Sequence, residues 1–180
     1  LCDQYYNSVS SLATAFTMNT ANTNVGGWAS CHMRKDILGG NVADVSSAGT
    51  TTFLNCLPSD LKAQMKPCVK YTDNVGGGTN VESNISNTSD FVYLLSEFEV
   101  QGARTYTNQY EQNYQTQYDY YKIGNSKVKY KHNATGTAVW YWCRSPGVSN
   151  NQYFCAGNGA GGPGQEYSAR SQGLSPAFCI

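Results

Sequence analysis

The stretch that decides the fold reads Trp-Tyr-Trp-Cys-Arg-Ser-Pro at residues 140–146. This aromatic run and the residues just before it predict a strand from Thr137 to Cys143, because β-branched and aromatic side chains are typical of strands. Side chains alternate across a strand, so Trp140 and Trp142 share one side and Tyr141 takes the other. We expect both tryptophans in the core and Tyr141 on the surface.

The segments on either side of this stretch indicate more β-structure. Lys127–Tyr130 alternates as a strand does, and residues 157–164 are too rich in glycine to hold a helix. Four apolar residues near the C-terminus predict a closing core strand: Leu174, Ala177, Phe178 and Ile180. Arg144 has a planar fork suited to a carboxylate or to loop carbonyls, and its place before Ser-Pro favours a structural role over ligand contact.

The N-terminal half predicts short helices. One spans Trp28–Leu38 and ends at Gly39-Gly40, and a second spans Pro58–Met65 and is closed by Pro67. Residues 96–99 read Ser-Glu-Phe-Glu, the spacing of a capping box that starts a third helix.

Strands and a loop alternate with these helices. Cys68–Tyr71 and Phe91–Leu95 are predicted strands, and residues 76–89 are predicted to form a long polar loop. Tyrosines then recur at every fourth position, which suits one face of a helix or of a strand equally well. These residues are Tyr106, Tyr110, Tyr114 and Tyr118.

The composition excludes several partners. Of the 180 residues 13% are charged, with 12 basic and 12 acidic side chains, so no charge excess points to nucleic acid or an anionic membrane. No run of 18 apolar residues is present, so membrane insertion is not expected. Residues 1–6 lack the layout of a signal peptide, and the missing initial Met indicates a trimmed chain. The 14 Tyr and 18 Gly, with many Asn and Ser, resemble the mixture in antibody-like contact surfaces, although a loop-rich β protein would look similar.

Seven cysteines leave at least one thiol unpaired. The spacing contains no zinc-type pair, and we favour buried free thiols over disulfides. They are Cys2, Cys31, Cys56, Cys68, Cys143, Cys155 and Cys179.

Two motifs carry a family resemblance: residues 140–146 and the terminal Gly-Leu-Ser-Pro-Ala-Phe-Cys-Ile at 173–180. From about residue 25 to 180 the chain resembles a family of gut-bacterial and phage domains similar to the variable proteins of diversity-generating retroelements. The resemblance implies an α+β chain with a C-type-lectin-like fold, mainly antiparallel sheet with two or more short helices. It also implies one domain over 1–180, with a poorly determined segment at 1–25 and a ligand-binding variable region at 138–180.

The same resemblance implies a fixed framework that displays diversified ligand-binding residues. The framework comprises Trp140, Trp142, Arg144, Ser145, Pro146, Gly173, Pro176 and Phe178. The ligand-binding positions are Val139, Tyr141, Cys143, Ser149, Asn150, Tyr153, Ala156, Asn158, Ala160, Gly162, Tyr167, Ala169 and Arg170. Adenine-directed diversification of an Asn codon yields neither Gln nor Glu, so four residues depart from the expected pattern: Gln152, Gln165, Glu166 and Gln172.

The expected function is non-enzymatic recognition of a protein or glycan on a cell surface, on a phage tail or at the bacterial surface, with no metal or cofactor. The rival enzyme hypothesis is a formylglycine-generating-enzyme-like use of Cys143 or Cys155. Adjacent Cys31 and His32 diverge on a helix, and His132 lies in a predicted exposed turn. A non-diversified carbohydrate-binding lectin is a third reading, but Glu166 is the single carboxylate in residues 138–180 and calcium needs several.

Overall fold

Short helices and short strands alternate along the chain in the computed structural model, which describes residues 16–131 and 134–180. The α-helices are α1 (Gly27–Ser30), α2 (Phe53–Cys56), α3 (Ser59–Lys62), α4 (Glu97–Gln101) and α5 (Asp119–Lys122). A π-helix spans Met33–Leu38, and 3₁₀ turns span Val45–Ser47, Glu82–Asn84 and Gln109–Asn113. The strands are β1 (Cys68–Asp73), β2 (Ile85–Asp90), β3 (Tyr93–Leu94), β4 (Lys129–Lys131), β5 (Ala134–Val139), β6 (Tyr141–Pro146), β7 (Tyr153–Gly157), β8 (Pro163–Tyr167) and β9 (Pro176–Ala177).

Within the described residues, the strands form four small sheets: β1–β2, β3–β9, β4–β5 and β6–β7–β8. Each pairing within these sheets is antiparallel, so the predicted α+β class with antiparallel sheet is confirmed. The β-structure is divided among separate sheets, and the C-terminal strands β6, β7 and β8 form the three-stranded one. No helix of the described residues is long and apolar enough to cross a membrane.

The main core joins the helical half to the C-terminal sheet. Trp28 and Trp142 are both fully buried in it, beside Leu94 and Phe154. Each indole N–H has an acceptor: Trp28 Nε1 donates to the Asp90 carboxylate at 3.1 Å, and Trp142 Nε1 donates to a main-chain carbonyl at 2.7 Å. Buried indoles need such partners, and both tryptophans therefore pack without an unpaired donor.

The helix predicted at Trp28–Leu38 is two helical pieces. Cys31 takes an extended conformation with ψ of 150° and separates α1 from the π-helix. The stop is where the sequence predicts it, because Gly39 adopts the left-handed conformation with φ of 67°. The helix predicted at Pro58–Met65 begins at Ser59 and is regular only to Lys62.

The polar loop predicted at residues 76–89 is wrong in its second half. Ile85–Asp90 forms β2, which pairs with β1 from Asp73↔Ile85 to Cys68↔Asp90. Its sequence, Ile-Ser-Asn-Thr-Ser-Asp, has almost no apolar alternation, so only pairing with β1 makes it a strand. By contrast, the capping box at Ser96 is confirmed with both of its hydrogen bonds, because it needs only local residues.

The remaining elements follow the sequence less closely. The tyrosine repeat forms neither a long helix nor a strand, and its members fall around the 3₁₀ turn at Gln109–Asn113 and before α5. The strand predicted at Thr137–Cys143 is interrupted at Trp140, where β5 ends and β6 begins. At the C-terminus Leu174 is fully buried, but Ile180 is 72% exposed, so the closing strand is only β9.

Candidate binding surface

The β7–β8 hairpin forms the outer part of the C-terminal sheet. Its register runs from Tyr153↔Tyr167 to Gly157↔Pro163. Strand β8 pairs with β7 on one side only, and Pro163 at its start suits an edge strand because proline has no N–H to donate. The hairpin therefore presents an edge and half-buried side chains near the end of the chain.

An outer tyrosine cluster lies at the open end of this hairpin: Tyr153, Tyr167, Glu166 and Arg170. The rings of Tyr153 and Tyr167 pack edge to face with centroids 4.7 Å apart. The guanidinium carbon of Arg170 lies 5.4 Å from the Tyr167 ring, and its Nη1 donates to Glu166 Oε2 at 3.2 Å. Hydrogen bonding with Tyr153 raises the pKa of Tyr167, and a neutral phenol can both donate and accept a hydrogen bond.

The side chain of Asn24 holds the loop before β7 in place through hydrogen bonds. It is fully buried, and its side-chain amide donates to the carbonyl oxygens of Gly147, Asn150 and Tyr153 at 2.9, 3.1 and 2.8 Å. Its Oδ1 accepts from the Gly77 N–H at 2.8 Å. One distant side chain thus sets the path of the loop into the tyrosine cluster. Nothing in the local sequence marked Asn24 for this role.

Asn158 orders the turn between β7 and β8. Its Oδ1 accepts from the N–H groups of Ala160 and Gly162 at 2.9 and 3.0 Å, and its Nδ2 donates to the Pro163 carbonyl at 3.2 Å. Gly161 has φ of 83°, which favours glycine. The Asn158 amide therefore makes its hydrogen bonds within the turn and holds the backbone at Ala160 and Gly162 in place.

Three of the expected ligand-binding residues are buried. Tyr141 is 2% exposed, Cys143 3% and Ala156 2%, so the expectation that Tyr141 lies on the surface is wrong. The alternation argument assumed that one face of the strand meets solvent, but both faces of β6 are covered. Trp142 enters the main core, whereas Tyr141 and Cys143 pack with Cys155 in a second cluster.

Tyr141 is also held at its hydroxyl. It donates to the Lys127 carbonyl at 2.9 Å, and its ring lies where a side chain at Gly157 would stand, 2.2 Å from an added Cβ. Burial raises the pKa of Tyr141 above the usual range, with Cys143 and Tyr121 adding to the effect. Its role is therefore packing.

Trp140 and Phe178 are not core residues, contrary to expectation, with 38% and 39% of their surface exposed. Trp140 falls between two strands, and its indole covers Gly164, where an added Cβ would lie 2.7 Å from the ring. It also lines a surface cavity of about 280 Å³ with Val139 and Gln172. Trp140 and Val139 thus contribute an apolar wall to the outer surface of the predicted variable region.

The other ten expected positions have exposed or half-buried side chains. Exposed are Ser149, Ala160 and Arg170, and half-buried are Val139, Asn150, Tyr153, Asn158, Gly162, Tyr167 and Ala169. Two of the residues that depart from the diversification pattern take part in the surface. Gln165 accepts a hydrogen bond from Ser149 at 2.9 Å, and Glu166 belongs to the tyrosine cluster.

Arg144 supports this surface from inside the protein. It is fully buried, its guanidinium contacts both carboxylate oxygens of Glu99, and it also donates to Thr72 Oγ1 at 2.6 Å and to the Leu94 carbonyl at 2.9 Å. Burial alone would raise the pKa of Glu99, but Arg144 and then Lys70 outweigh it, so the pKa is lowered and the carboxylate stays ionised. The structural role expected for Arg144 agrees with these contacts.

Glu111 continues the network at Ser145, the residue after Arg144 in β6. It is fully buried, and its carboxylate accepts from the Asp73 N–H at 2.9 Å and from the Ser145 hydroxyl at 2.6 Å. Burial raises the pKa of Glu111 to about 7, although these hydrogen bonds oppose the shift. Ser145 therefore has a structural role, because its hydroxyl binds a buried carboxylate that lies 34 residues away in sequence.

A larger cavity of about 380 Å³ lies outside residues 138–180 and was not foreseen from the sequence. Tyr71 and Tyr114 stack in it with ring centroids 5.1 Å apart, and Lys70 and Asp119 also line it. Lys70 is already engaged, because its Nζ contacts Tyr118 Oη at 2.8 Å and Glu99 Oε1 at 3.3 Å. The stacked tyrosines make this cavity the main alternative location for a binding site.

The cysteines and histidines of the enzyme hypotheses do not form an activated pair in the described residues. Cys31 is buried, which raises its pKa to about 12, and the neighbouring His32 Nδ1 is bonded to Asp36 Oδ2 at 2.8 Å. Burial also raises the pKa of Cys143 and of Cys155. His132 lies outside the described residues. The described part of the chain contains no group of three or more His, Cys, Asp or Glu side chains that could hold a metal ion.

A family model described as a domain of unknown function, DUF6273, matches residues 5–180. The chain belongs to the DUF6273 family. No curated protein and no solved structure matches it. The DUF6273 match spans the helical half and the C-terminal sheet together, so the buried Arg144 network and the outer tyrosine cluster both lie within it.

Proposed function

We propose that this DUF6273 domain is a non-enzymatic ligand-binding protein and that the outer tyrosine cluster is the centre of its contact surface. The observation that carries the proposal is the cross-strand pair Tyr153–Tyr167 with Arg170 over the second ring. Tyrosine and arginine are the side chains most often found at the energetic centre of an interface. They stand here on a sheet whose inner strand is buried, so little flexibility is lost on binding.

The proposal includes a C-type-lectin-like scaffold with a diversified surface. One support is that the chain combines short antiparallel sheets with short helices, and that the C-terminal strand β9 pairs with β3. The other is that ten of the thirteen expected positions are exposed or half-buried. The ligand is a protein or glycan at a cell surface, met on a phage tail or at the bacterial surface. The raised pKa values of Cys143 and Cys155 support a non-enzymatic role, because a nucleophilic cysteine requires a lowered one.

Binding measurements on matched tyrosine variants test the location of the surface. The full chain is applied to a glycan microarray and to fixed gut-bacterial cells, and Tyr167→Ala is compared with Tyr114→Ala. Each removes one ring of a packed tyrosine pair, whose ring centroids lie 4.7 Å apart in the cluster and 5.1 Å apart in the larger cavity. We expect Tyr167→Ala to weaken binding by about 2 kcal/mol, roughly thirtyfold, and Tyr114→Ala to leave it unchanged. Loss of binding in Tyr114→Ala alone would move the site to the cavity and refute the proposal.

Two further observations test the other parts. The DNA beside the gene should contain a reverse transcriptase and a near-copy of the last coding stretch that differs at adenines, and its absence would remove the diversification claim. Alkylation at neutral pH should label Cys143 and Cys155 slowly in the folded protein. Rapid labelling of either one would favour the enzyme hypothesis.

A further inference from the structure

The fold brings together two cysteines that lie 111 positions apart in the sequence, Cys68 and Cys179. Their Sγ atoms are 2.6 Å apart, whereas non-bonded heavy atoms settle at about 3.5–4.0 Å. Both side chains are half-buried, so a small reagent can reach them. The contact is therefore an accessible pair of sulfur atoms closer than ordinary packing requires.

The backbone holds both cysteines in place independently of the sulfur contact. The Lys66 N–H donates to the Cys179 carbonyl at 2.9 Å, and Lys66 and Cys179 form an antiparallel bridge. Cys68 is the first residue of β1 and pairs with Asp90 of β2. The two Cα positions are thus tied to neighbouring strands, so forming a bond between the sulfurs needs little backbone movement.

We propose that Cys68 and Cys179 form a disulfide that fastens the C-terminal segment to β1. The other described cysteines have different surroundings. Cys56 Sγ donates to the Thr52 carbonyl at 3.3 Å, while Cys143 and Cys155 are buried in the second cluster. This inference replaces the expected free thiols at one pair and is independent of the proposed binding function.

The oxidation is a thiol–disulfide exchange with an external disulfide. One cysteine thiolate attacks a sulfur of that disulfide, which forms a mixed disulfide and expels one thiol. The second cysteine thiolate then attacks the protein-bound sulfur, which forms the Cys68–Cys179 bond and expels the second thiol. Two protons leave the two cysteines, and their two electrons reduce the external disulfide to two thiols.

The cross-link would fix the segment that completes the C-terminal sheet. Gly173, six residues before Cys179, donates its N–H to the Trp140 carbonyl at 2.9 Å and accepts from the Trp142 N–H at 3.0 Å. Leu174 is fully buried between these contacts and β9. A chain end held only by such short pairings frays readily, whereas a bond to β1 closes a long loop and restricts the unfolded chain.

Peptide mapping of the full chain tests the bond directly. The protein is equilibrated with glutathione disulfide, unfolded, alkylated without reductant and digested. We expect a linked pair of peptides that contain Cys68 and Cys179, together with alkylated Cys56. Recovery of Cys68 and Cys179 as separate alkylated peptides would overturn the proposal.

Thermal melting gives a second, independent readout. Closure of a loop of this length should raise the melting temperature of the oxidised protein on the order of 10 °C above that of the reduced protein. Cys68→Ser and Cys179→Ser should lose this dependence on reductant, and Cys56→Ser, which keeps a hydrogen-bond donor to Thr52, should retain it. A shift that persists in Cys68→Ser, or is absent from wild type, refutes the proposal. Peptide mapping still decides the matter if a variant fails to fold.

Discussion

Strands β6 and β8 belong to one three-stranded sheet, yet all six residues of β6 are buried and only Gly164 is buried in β8. The same residue types occur in and around both strands with opposite surroundings. Trp142, Arg144, Glu111 and Tyr141 lie inside, while Trp140, Arg170, Glu166 and Tyr167 lie at the surface. The difference teaches that residue type does not separate buried residues from surface residues in this chain. What separates them is whether other elements cover the strand on both faces. Each pair of one buried and one surface residue of the same type can be compared by making the same substitution in both.

The two tryptophans should differ most. Trp142→Ala removes a fully buried indole and its hydrogen bond, and we expect a loss of about 3–5 kcal/mol in the free energy of unfolding. Trp140→Ala should cost about 1 kcal/mol, because 38% of its surface is already exposed. Chemical denaturation of both variants provides the measurement. Equal losses would place Trp140 in the core, as the alternation argument predicted.

The two arginines test whether an ion pair stabilises only where it is buried. Arg144→Met leaves Glu99 buried with Lys70 as its remaining cation, and we expect a loss of about 3 kcal/mol. Arg170→Met breaks a pair in which 63% of the arginine side chain is exposed, and the change in stability should stay within about 0.5 kcal/mol. A tolerated Arg144→Met variant would mean that the network under β6 is not a framework.

The two glutamates differ in their effect on pH dependence. The folded-state pKa of Glu111 is raised to about 7 from 4.5, so its contribution to stability is fully present below pH 4.5 and is lost as the pH rises through about 7. From pH 5 to 7 this loss is on the order of 1–2 kcal/mol. Glu111→Gln should flatten the dependence of the melting temperature on pH over that window, and Glu166→Gln is the matched control at the surface. An unchanged slope in Glu111→Gln would show that Glu111 titrates normally.

The two tyrosines should give the smallest difference. Tyr141→Phe deletes the hydroxyl that donates to the Lys127 carbonyl, and we expect a loss of about 1 kcal/mol. Tyr167→Phe should change stability by less than about 0.5 kcal/mol, because its hydroxyl is at the surface. Thermal melting of the two conservative variants checks this. The reverse order would return Tyr141 to the contact surface and Tyr167 to the interior.

The sequence by itself determined the features that depend on neighbouring residues. The capping box at Ser96 and the helix stop at Gly39 are local, since their hydrogen bonds and backbone angles involve only a few consecutive residues. The burial of Trp142 followed from the alternation of side chains along a strand, and the resemblance implied the α+β class with antiparallel strands. Of the thirteen positions that the resemblance implied for ligand binding, ten are exposed or half-buried.

Only the tertiary structure decided which side chains of that segment are free to make contacts. Burial of Tyr141 and Cys143 requires a second layer over β6, and β2 is a strand only because β1 pairs with it. Several contacts join residues that are far apart in the sequence: Asn24 with Tyr153, Glu111 with Ser145, and Cys68 with Cys179. The alternation of residues along a strand indicates which side chains share a face of the sheet. It does not indicate which other elements cover each face. The covering elements come from elsewhere in the chain, and only their packing distinguishes a framework residue from a contact residue.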